Sequence, residues 1–277
     1  MTTNLDTGTP DLLASLDAGV LTLTMNRPEA RNAMSAAMNQ ALQQQLAAAE
    51  LDPAVKCVVL TGAGKGFCAG GDVKGMAARG SGEGGTVGAQ TIDEAIARQR
   101  INQRATAGKL FKMAKPTIAA LPGAAAGAGL ALALACDLRL MASSAIMTTA
   151  FARVGFSGDY GGTYFLTQLV GSAKARELYF LSDRVSADEA LRLGLANWVC
   201  APEDLAAKTR EIALRLASGP TVAYRYMKEN LNRAMAGEVD DCLDLEATHH
   251  IHCGQTEDHR EATKAFVDKR EPVFHGR

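Results

Sequence analysis

The sequence is poor in aromatic residues and in net charge, and each shortage excludes a class of function. Aromatic residues make up 5% of the chain, too few for a platform on which single-stranded nucleic acid stacks. The formal net charge is −1, so a basic nucleic-acid-binding surface is not expected. No apolar run approaches the roughly 18 residues of a membrane helix, and no secretory signal opens the chain. We therefore predict a soluble, cytoplasmic protein with no membrane or nucleic-acid partner.

The sequence also lacks the spacings of metal and redox motifs. Its six cysteines include no CxxC pair. Three of them lie in apolar runs, as small reduced core residues of a cytosolic protein do: Cys57, Cys136 and Cys200. Four histidines cluster near the end of the chain without a usual zinc spacing: His249, His250, His252 and His259. We predict no metal, and we interpret the histidines as a solvated or oligomer-facing patch.

What is present is an alternation of strand and helix patterns up to about residue 200. Strands are predicted at 20–25, 54–60, 117–121 and 138–142, where β-prone or apolar runs end in turn residues. Helices are predicted at 34–50, 91–113 and 130–136, and Ser186, three residues before Glu189, is a predicted N-cap. Residues 1–11 are predicted to be a loose tail. This pattern indicates an α/β core over 1–200, then a helical segment over 201–277 that caps the pocket or mediates oligomerisation.

Three glycine-rich turns follow strand-like runs and precede helix-like sequence, near residues 70, 127 and 160. A helix that begins at such a turn has unpaired N–H groups at its positive end, which bind a phosphate or a developing oxyanion. Two turns brought together would aim two N–H groups at one carbonyl oxygen, although tight packing of small residues would explain the same glycines. A further glycine-rich loop at 79–90 is predicted to be either a mobile pocket wall or an insertion without function.

The motifs around these turns occur in a specific order and spacing. They are NRPEARNAM at 26–34, GFCAGGDVK at 66–74, AALPGAAAGAGLALALACD at 119–137, GDYGGTYFL at 158–166, DRVSADEALRLGL at 183–195 and AFVDKREPVFHGR at 265–277. Over about 15–277 the chain resembles the crotonase, or enoyl-CoA hydratase/isomerase, superfamily. The resemblance implies a crotonase (ClpP-like) α/β fold of repeated ββα units with a C-terminal helical region, assembled as a homotrimer or hexamer. It also implies an acyl-CoA thioester substrate, so coenzyme A is part of the substrate and no cofactor is expected.

The resemblance assigns roles to individual residues. The backbone N–H groups of Gly71 and Ala128 would hold the thioester oxygen. The family usually has glycine at the position of Ala128, and alanine is acceptable there if its φ stays negative. Seven residues match the path of the nucleotide and pantetheine: Arg27, Ala30, Arg31, Ala69, Asp72, Val73 and Lys74. Phe266 and Lys269 match residues that help cover coenzyme A, sometimes from a neighbouring subunit. The cations among these residues either meet a phosphate or are solvated surface groups.

The chain departs from the hydratases of this family at two positions. Those enzymes activate water with two glutamates, and the matching residues here are Ala131 and Phe151. Neither side chain can act as a general acid or base, so hydration by that route is not expected. Asp159, in the third glycine turn, matches the single proton-shuttling aspartate of the ring-epoxide and Δ3–Δ2 enoyl-CoA isomerases within the family. The alternative is that Asp159 only caps the helix that follows.

The hypothesis from sequence is therefore an enoyl-CoA isomerase with an oxyanion-stabilised enolate and Asp159 as the proton shuttle. Burial of this carboxylate among three aromatic residues, Phe151, Phe156 and Tyr160, would raise its pKa and make it a better base. Three alternatives stay open. They are an enoyl-CoA hydratase with another water-activating group, a non-catalytic acyl-CoA-binding or scaffold protein, and a thioester hydrolase.

Overall fold

The structure, a computed structural model, describes residues 2–72 and 91–277. The loop predicted at 79–90 lies outside these residues, and so do Val73 and Lys74. Within the described ranges, no helix is both long enough and apolar enough to cross a membrane.

Two β-sheets form the framework of the described chain. The strands of the larger sheet are Thr3–Leu5 (β1), Leu12–Asp17 (β2), Val20–Met25 (β3), Cys57–Gly62 (β4), Thr117–Leu121 (β6), Leu138–Ala142 (β8) and Trp198–Cys200 (β11). Those of the smaller sheet are Gly66–Cys68 (β5), Ala124–Ala126 (β7), Ile146–Thr148 (β9) and Val185–Ser186 (β10). The larger sheet has the order β1-β2-β3-β4-β6-β8-β11, antiparallel up to β3 and parallel from β3 onward. The smaller has the order β10-β9-β7-β5, in which only β9 and β10 are antiparallel.

Helices follow the paired strands and then fill the C-terminal segment. They are Ala36–Leu51 (α1), Ile92–Ala105 (α2), Ala107–Lys112 (α3), Ala128–Ala135 (α4), Gly162–Leu181 (α5), Ala187–Arg192 (α6), Leu205–Ala217 (α7), Thr221–Ala234 (α8), Val239–Gly254 (α9) and Glu257–Asp268 (α10). Every residue of α4 is buried, as its lack of a polar face predicts. The Ser186 hydroxyl accepts a hydrogen bond from the Glu189 N–H, which confirms the predicted N-cap.

The succession of one strand in each sheet and then a helix repeats along the chain. It is seen in β6, β7 and α4, and again in β8, β9 and α5. The predicted α/β organisation with ββα units is thereby confirmed. Because β5, β7 and β9 are parallel neighbours, their carboxyl ends lie at one edge of the smaller sheet. The turns that follow β5 and β7 therefore lie side by side.

Three local predictions are wrong. Residues 1–11 are not all loose, because β1 pairs with β2, with Thr3 opposite Leu16. The helix predicted over 91–113 is two helices, since Thr106 has a non-helical backbone with φ −116° and ψ −88°. His249 is not solvated: it is 7% exposed, stacks on Tyr226 at 4.3 Å between ring centroids, and shares a 2.6 Å hydrogen bond with Asn230. An α8–α9 contact buries it, which a local sequence pattern does not reveal.

A buried ion pair joins the C-terminal helices to the core. Lys228 of α8 is 7% exposed, and its Nζ lies 2.8 Å from Asp137 Oδ2. The ammonium group also donates to the carbonyl oxygens of Leu110 and Lys115, at 2.9 and 3.2 Å. The same Asp137 oxygen accepts hydrogen bonds from the N–H and hydroxyl of Thr117, at 2.7 and 2.9 Å. One lysine thus connects α8 with α3, β6 and the end of α4.

Lys228→Met is expected to lower the free energy of unfolding by about 3 kcal/mol, because it leaves a partly buried carboxylate without its cation. Urea denaturation followed by far-ultraviolet circular dichroism measures the change. Lys208→Met is the control, since Lys208 is a half-exposed lysine paired with Glu211 three residues later, and it should cost less than about 0.5 kcal/mol. Equal losses in the two variants would contradict an anchoring role for Lys228.

Candidate active site

The first glycine turn, at the end of β5, is held against the second by close backbone packing. Gly70 has φ +88°, and a Cβ on it would lie 2.8 Å from the carbonyl oxygen of Ala126 and 3.2 Å from the nitrogen of Ala128. Only glycine allows this approach without strain. On the other side, the Met34 N–H donates to the Gly70 carbonyl at 2.8 Å, and Met34 forms a parallel bridge with Gly71. Gly71 is therefore fixed between the start of α1 and the second turn.

The second turn presents the N-terminus of the buried helix α4. Ala128 is its first residue, 3% exposed and with helical backbone angles, so its φ is negative as alanine requires. A Cβ on Gly129 would come 2.4 Å from the Cys68 carbonyl oxygen, so glycine is required where α4 meets β5. Within the described ranges, the N–H groups of Gly71 and Ala128 have no hydrogen-bond acceptor. Two neighbouring donors are thus available to an external oxygen atom.

The third turn positions Asp159 between the short 3-10 helix Ala152–Val154 and α5. Tyr160 takes a left-handed φ of +49°, and its N–H donates to Gln103 Oε1 at 2.5 Å. Gly161 occupies the N-cap of α5 and no side chain caps the helix, so the capping explanation for Asp159 fails. Asp159 Oδ1 is buried and has no hydrogen-bond partner in the described part of the chain. Burial raises the pKa of this carboxyl from 3.8 to about 6.

Sequence reasoning missed Tyr179 as a neighbour of this aspartate. A Cβ on Gly158 would lie 3.1 Å from the Tyr179 ring, and one on Gly162 would lie 2.6 Å from its hydroxyl oxygen. Burial, with a smaller contribution from the Asp159 charge, raises the pKa of Tyr179. Phe156, expected beside Asp159, is exposed instead. Tyr179 lies near the C-terminal end of α5, two residues before Leu181, and no local motif connects it with the third turn.

The three turns meet in one cavity of about 550 Å³, which Gly71, Ala128 and Asp159 all line. Residues of α1 and α2 form its walls. Its described lining includes one other carboxylate, Asp72, whose Oδ2 lies 3.4 Å from an Arg27 nitrogen. A larger open groove of about 860 Å³, lined mainly by α8 and α9, contains none of the three predicted catalytic residues.

The two positions that match the hydratase glutamates are packed with apolar groups. Ala131 is buried in α4, and its Cβ lies 3.3 Å from where a Cβ on Gly162 would be. The Phe151 ring is buried and stacks on Tyr179, with centroids 5.9 Å apart and planes 7° from parallel. Neither position holds a side chain that could act as a general acid or base.

The described residues matched to the coenzyme A path fall into two groups: an ion pair, Arg27 with Asp72, and the residues Ala30, Arg31 and Ala69. Arg27 is partly buried, donates to the Ala33 carbonyl at 2.8 Å and pairs with Asp72, so its charge is engaged within the chain. The exposed Arg31 lies close to Ala69, whose N–H donates to the Arg31 carbonyl at 3.0 Å. Ala30 ends a short 3-10 helix, Pro28–Ala30, just before Arg31. These residues surround the first turn.

The C-terminal pair is not brought to the cavity by this chain. Phe266 is 86% exposed on α10, and Lys269 is the left-handed residue that ends that helix. Neither lines the cavity of the three turns. Among the described residues, no group of three or more histidine, cysteine, aspartate or glutamate side chains could hold a metal ion.

The comparisons with known proteins agree on one family. The enoyl-CoA hydratase/isomerase family model matches residues 15–277. The 1,2-epoxyphenylacetyl-CoA isomerase of Escherichia coli is 36% identical, over 96% of this chain and 98% of its own. The short-chain-enoyl-CoA hydratase of Clostridium acetobutylicum is 34% identical, over 94% of this chain and 95% of its own. An enoyl-CoA hydratase from a Polaromonas species has a similar structure, with a TM-score of 0.87, 32% identity and coverage of 95% of this chain and 99% of that one.

The fold of ββα units places three glycine turns around one cavity. Together with these relatives, it defines an enzyme of the crotonase class. The chain belongs to the enoyl-CoA hydratase/isomerase family and acts on coenzyme A thioesters. The crotonase fold predicted from the motifs is confirmed.

Proposed function

We propose that the protein is an enoyl-CoA isomerase that moves a double bond along the acyl chain of a coenzyme A thioester. The observation that carries this proposal is the position of Asp159. It is a carboxylate with a raised pKa and an unpartnered oxygen, in the same cavity as the unpaired N–H groups of Gly71 and Ala128. A base beside two preorganised donors suits proton abstraction next to a carbonyl group.

The proposed reaction is a proton transfer in two steps. Asp159 takes a proton from the α-carbon of a 3-enoyl thioester, and the electron pair of that C–H bond moves into the thioester to form a dienolate. The N–H groups of Gly71 and Ala128 stabilise the negative oxygen. Asp159 then returns the proton to the γ-carbon, which leaves the double bond conjugated with the carbonyl. No atom is gained or lost.

The raised pKa of Asp159 favours this role. A carboxylate with an ordinary pKa is a weak base near neutral pH, whereas one at about 6 is still ionised at pH 7 and more basic. Burial produces the shift because the charged form loses hydration. The relative from Escherichia coli that is named an isomerase supports the same choice.

Hydration is the second candidate, because one of the relatives is named a short-chain-enoyl-CoA hydratase. In this chain, Ala131 and Phe151 supply no acid or base, so Asp159 alone would have to activate the water. Addition of water needs one group to deprotonate it and another to protonate the carbon. We therefore rank hydration below isomerisation.

We further propose how the rest of the molecule serves this reaction. Coenzyme A would lie along the first turn, contacting Ala30, Arg31 and Ala69, with Val73 and Lys74 next along the chain. The helical segment 201–277 would cap the site and join subunits of a trimer or hexamer, where Phe266 and Lys269 would reach a neighbour's coenzyme A. The exposure of Phe266 supports such a contact. A cytoplasmic location is supported by the free, buried thiols of Cys57, Cys68 and Cys136.

Two absorbance assays on the purified protein test the reaction type. In the first, 3-hexenoyl-CoA should gain the absorbance of a conjugated enoyl thioester, because the double bond moves next to the carbonyl. In the second, crotonyl-CoA should keep its conjugated absorbance, because no second acid or base is present to add water. Hydration of crotonyl-CoA at a rate equal to or above that of isomerisation would overturn the assignment.

A further inference from the structure

The walls of the catalytic cavity are rich in carboxamide groups. Asn39, Gln40 and Gln43 of α1 line one side, and Gln99 and Asn102 of α2 line the other. Asn39, Gln43, Gln99 and Asn102 are half-buried. The apolar side chains of the described lining are small in number and belong mainly to Met34, Ala36 and Ala128.

Three of these amides, Asn39, Gln43 and Asn102, are held by hydrogen bonds that leave part of each group available. Gln43 Nε2 donates to Asn102 Oδ1 at 3.1 Å, joining α1 to α2 across the wall. The Tyr160 hydroxyl donates to Asn39 Oδ1 at 3.3 Å. The amide nitrogens of Asn39 and Asn102 are not used in these contacts, and Gln99 makes no side-chain hydrogen bond with any described residue. The wall therefore offers fixed donors to a bound molecule.

Such a wall discriminates strongly between two kinds of acyl group. An alkyl chain that displaces water from it leaves half-buried amide groups without partners, which is costly. An acyl group that carries oxygen replaces the lost water contacts. Sites built from polar groups reject analogues that lack the matching polar atom much more strongly than apolar pockets reject an extra methylene.

On the basis of the proposed function, we propose that the acyl group carries an uncharged oxygen atom, as a hydroxyl, ether or ring oxygen, beyond the reacting carbons. The amide wall of α1 and α2 is the specificity-determining surface that recognises it. Carboxamides, which are neutral and both donate and accept, suit an uncharged oxygen better than a carboxylate. Arg98, a cation of the described lining, is exposed on α2, whereas four of the five amides are half-buried.

Binding of unreactive thioesters tests this inference independently of the reaction. Isothermal titration calorimetry would compare hexanoyl-CoA with its 4-, 5- and 6-methoxy derivatives, whose ether oxygens accept a hydrogen bond and cannot form a lactone by displacing coenzyme A. At least one methoxy ligand should bind about tenfold more tightly, as expected for one well-formed hydrogen bond that replaces an unsatisfied group. Gln99→Met and Asn102→Leu should each reduce that preference to about twofold or less, with hexanoyl-CoA bound equally well or better.

Gln44→Met is the matched control, because Gln44 is the exposed neighbour of Gln43 on α1 and does not line the cavity. It should keep the full preference. The inference is overturned if hexanoyl-CoA binds as tightly as every methoxy ligand. It is also overturned if the preference survives in both wall variants or is lost in the control. Because the ligands are unreactive, failure of the isomerase proposal would appear only in the absorbance assays, and the two failures are distinguishable.

Discussion

Asp159→Asn is expected to reduce isomerisation of 3-hexenoyl-CoA by about 100- to 10,000-fold, the usual range for loss of a general base. Asparagine has nearly the same shape as aspartate but accepts no proton at neutral pH. The Kd for an unreactive acyl-CoA should change by less than about threefold, because Asp159 is proposed to act on the proton and not on binding. Steady-state kinetics measures the rate, and isothermal titration calorimetry with hexanoyl-CoA measures the Kd.

The raised pKa of Asp159 adds a second readout. In the wild-type enzyme, kcat/KM should fall as pH decreases below about 6, because the protonated carboxyl cannot accept a proton. The folded-state pKa lies above the ordinary value of 3.8, so the ionised carboxylate costs stability, fully so above about pH 6. Asp159→Asn should therefore be at least as thermally stable as the wild type at pH 8, which separates lost chemistry from unfolding.

Asp183→Asn is the matched control, since Asp183 is an exposed aspartate just after α5 that lies outside the cavity. It should retain wild-type activity and the wild-type pH profile. Full isomerase activity in Asp159→Asn would eliminate the proton-shuttle role and return attention to hydration or to a binding function.

Ala128→Pro is expected to lower kcat by about 100- to 1,000-fold, the usual effect of losing one oxyanion donor. Proline removes the Ala128 N–H, and it does so at the first residue of a helix, the position where proline is best accommodated. The preceding Gly127 has φ 52° and ψ −125°, outside the helical region that a following proline disfavours. The fold should therefore survive the change, and steady-state kinetics measures the loss.

Ala128→Gly is the control for this second substitution, because it keeps the N–H and restores the residue usual in the family. It should change kcat by only a few fold. Thermal denaturation of both variants checks that α4 remains in place. Near-normal turnover by a folded Ala128→Pro variant would show that the Ala128 N–H does not hold the developing oxyanion.

Much of the fold could be predicted because its signals are local. The Val20–Met25, Thr117–Leu121 and Leu138–Ala142 strands have the predicted bounds, since each is a short β-prone or apolar run closed by turn residues. The β1 strand was not predicted, because Thr3–Leu5 is polar and gains its structure only by pairing with β2. The burial of His249 likewise depends on a helix distant in sequence, through its contact with Asn230.

In the candidate site, some residues could be selected from sequence and others were found only in the structure. Asp159 and the glycine turns could be selected from sequence because their motifs are short and contiguous. Tyr179 and the amide wall could not, since Asn39, Gln43 and Asn102 are ordinary helix residues until α1 and α2 face one cavity. At Arg27 the structure adds an ion pair that the sequence does not reveal. The charge of Arg27 suggests a phosphate contact, whereas in the folded chain it pairs with Asp72.

The family, the glycine turns and the absence of acids at positions 131 and 151 follow from short stretches of contiguous residues. Three other features depend on the folded chain: Gly71, Ala128 and Asp159 share a cavity, one Asp159 oxygen has no partner among the described residues, and amides form the wall. The physical reason is that proximity, burial and unsatisfied hydrogen bonds arise between elements far apart in the chain. The parallel pairing of β5, β7 and β9 brings those elements together.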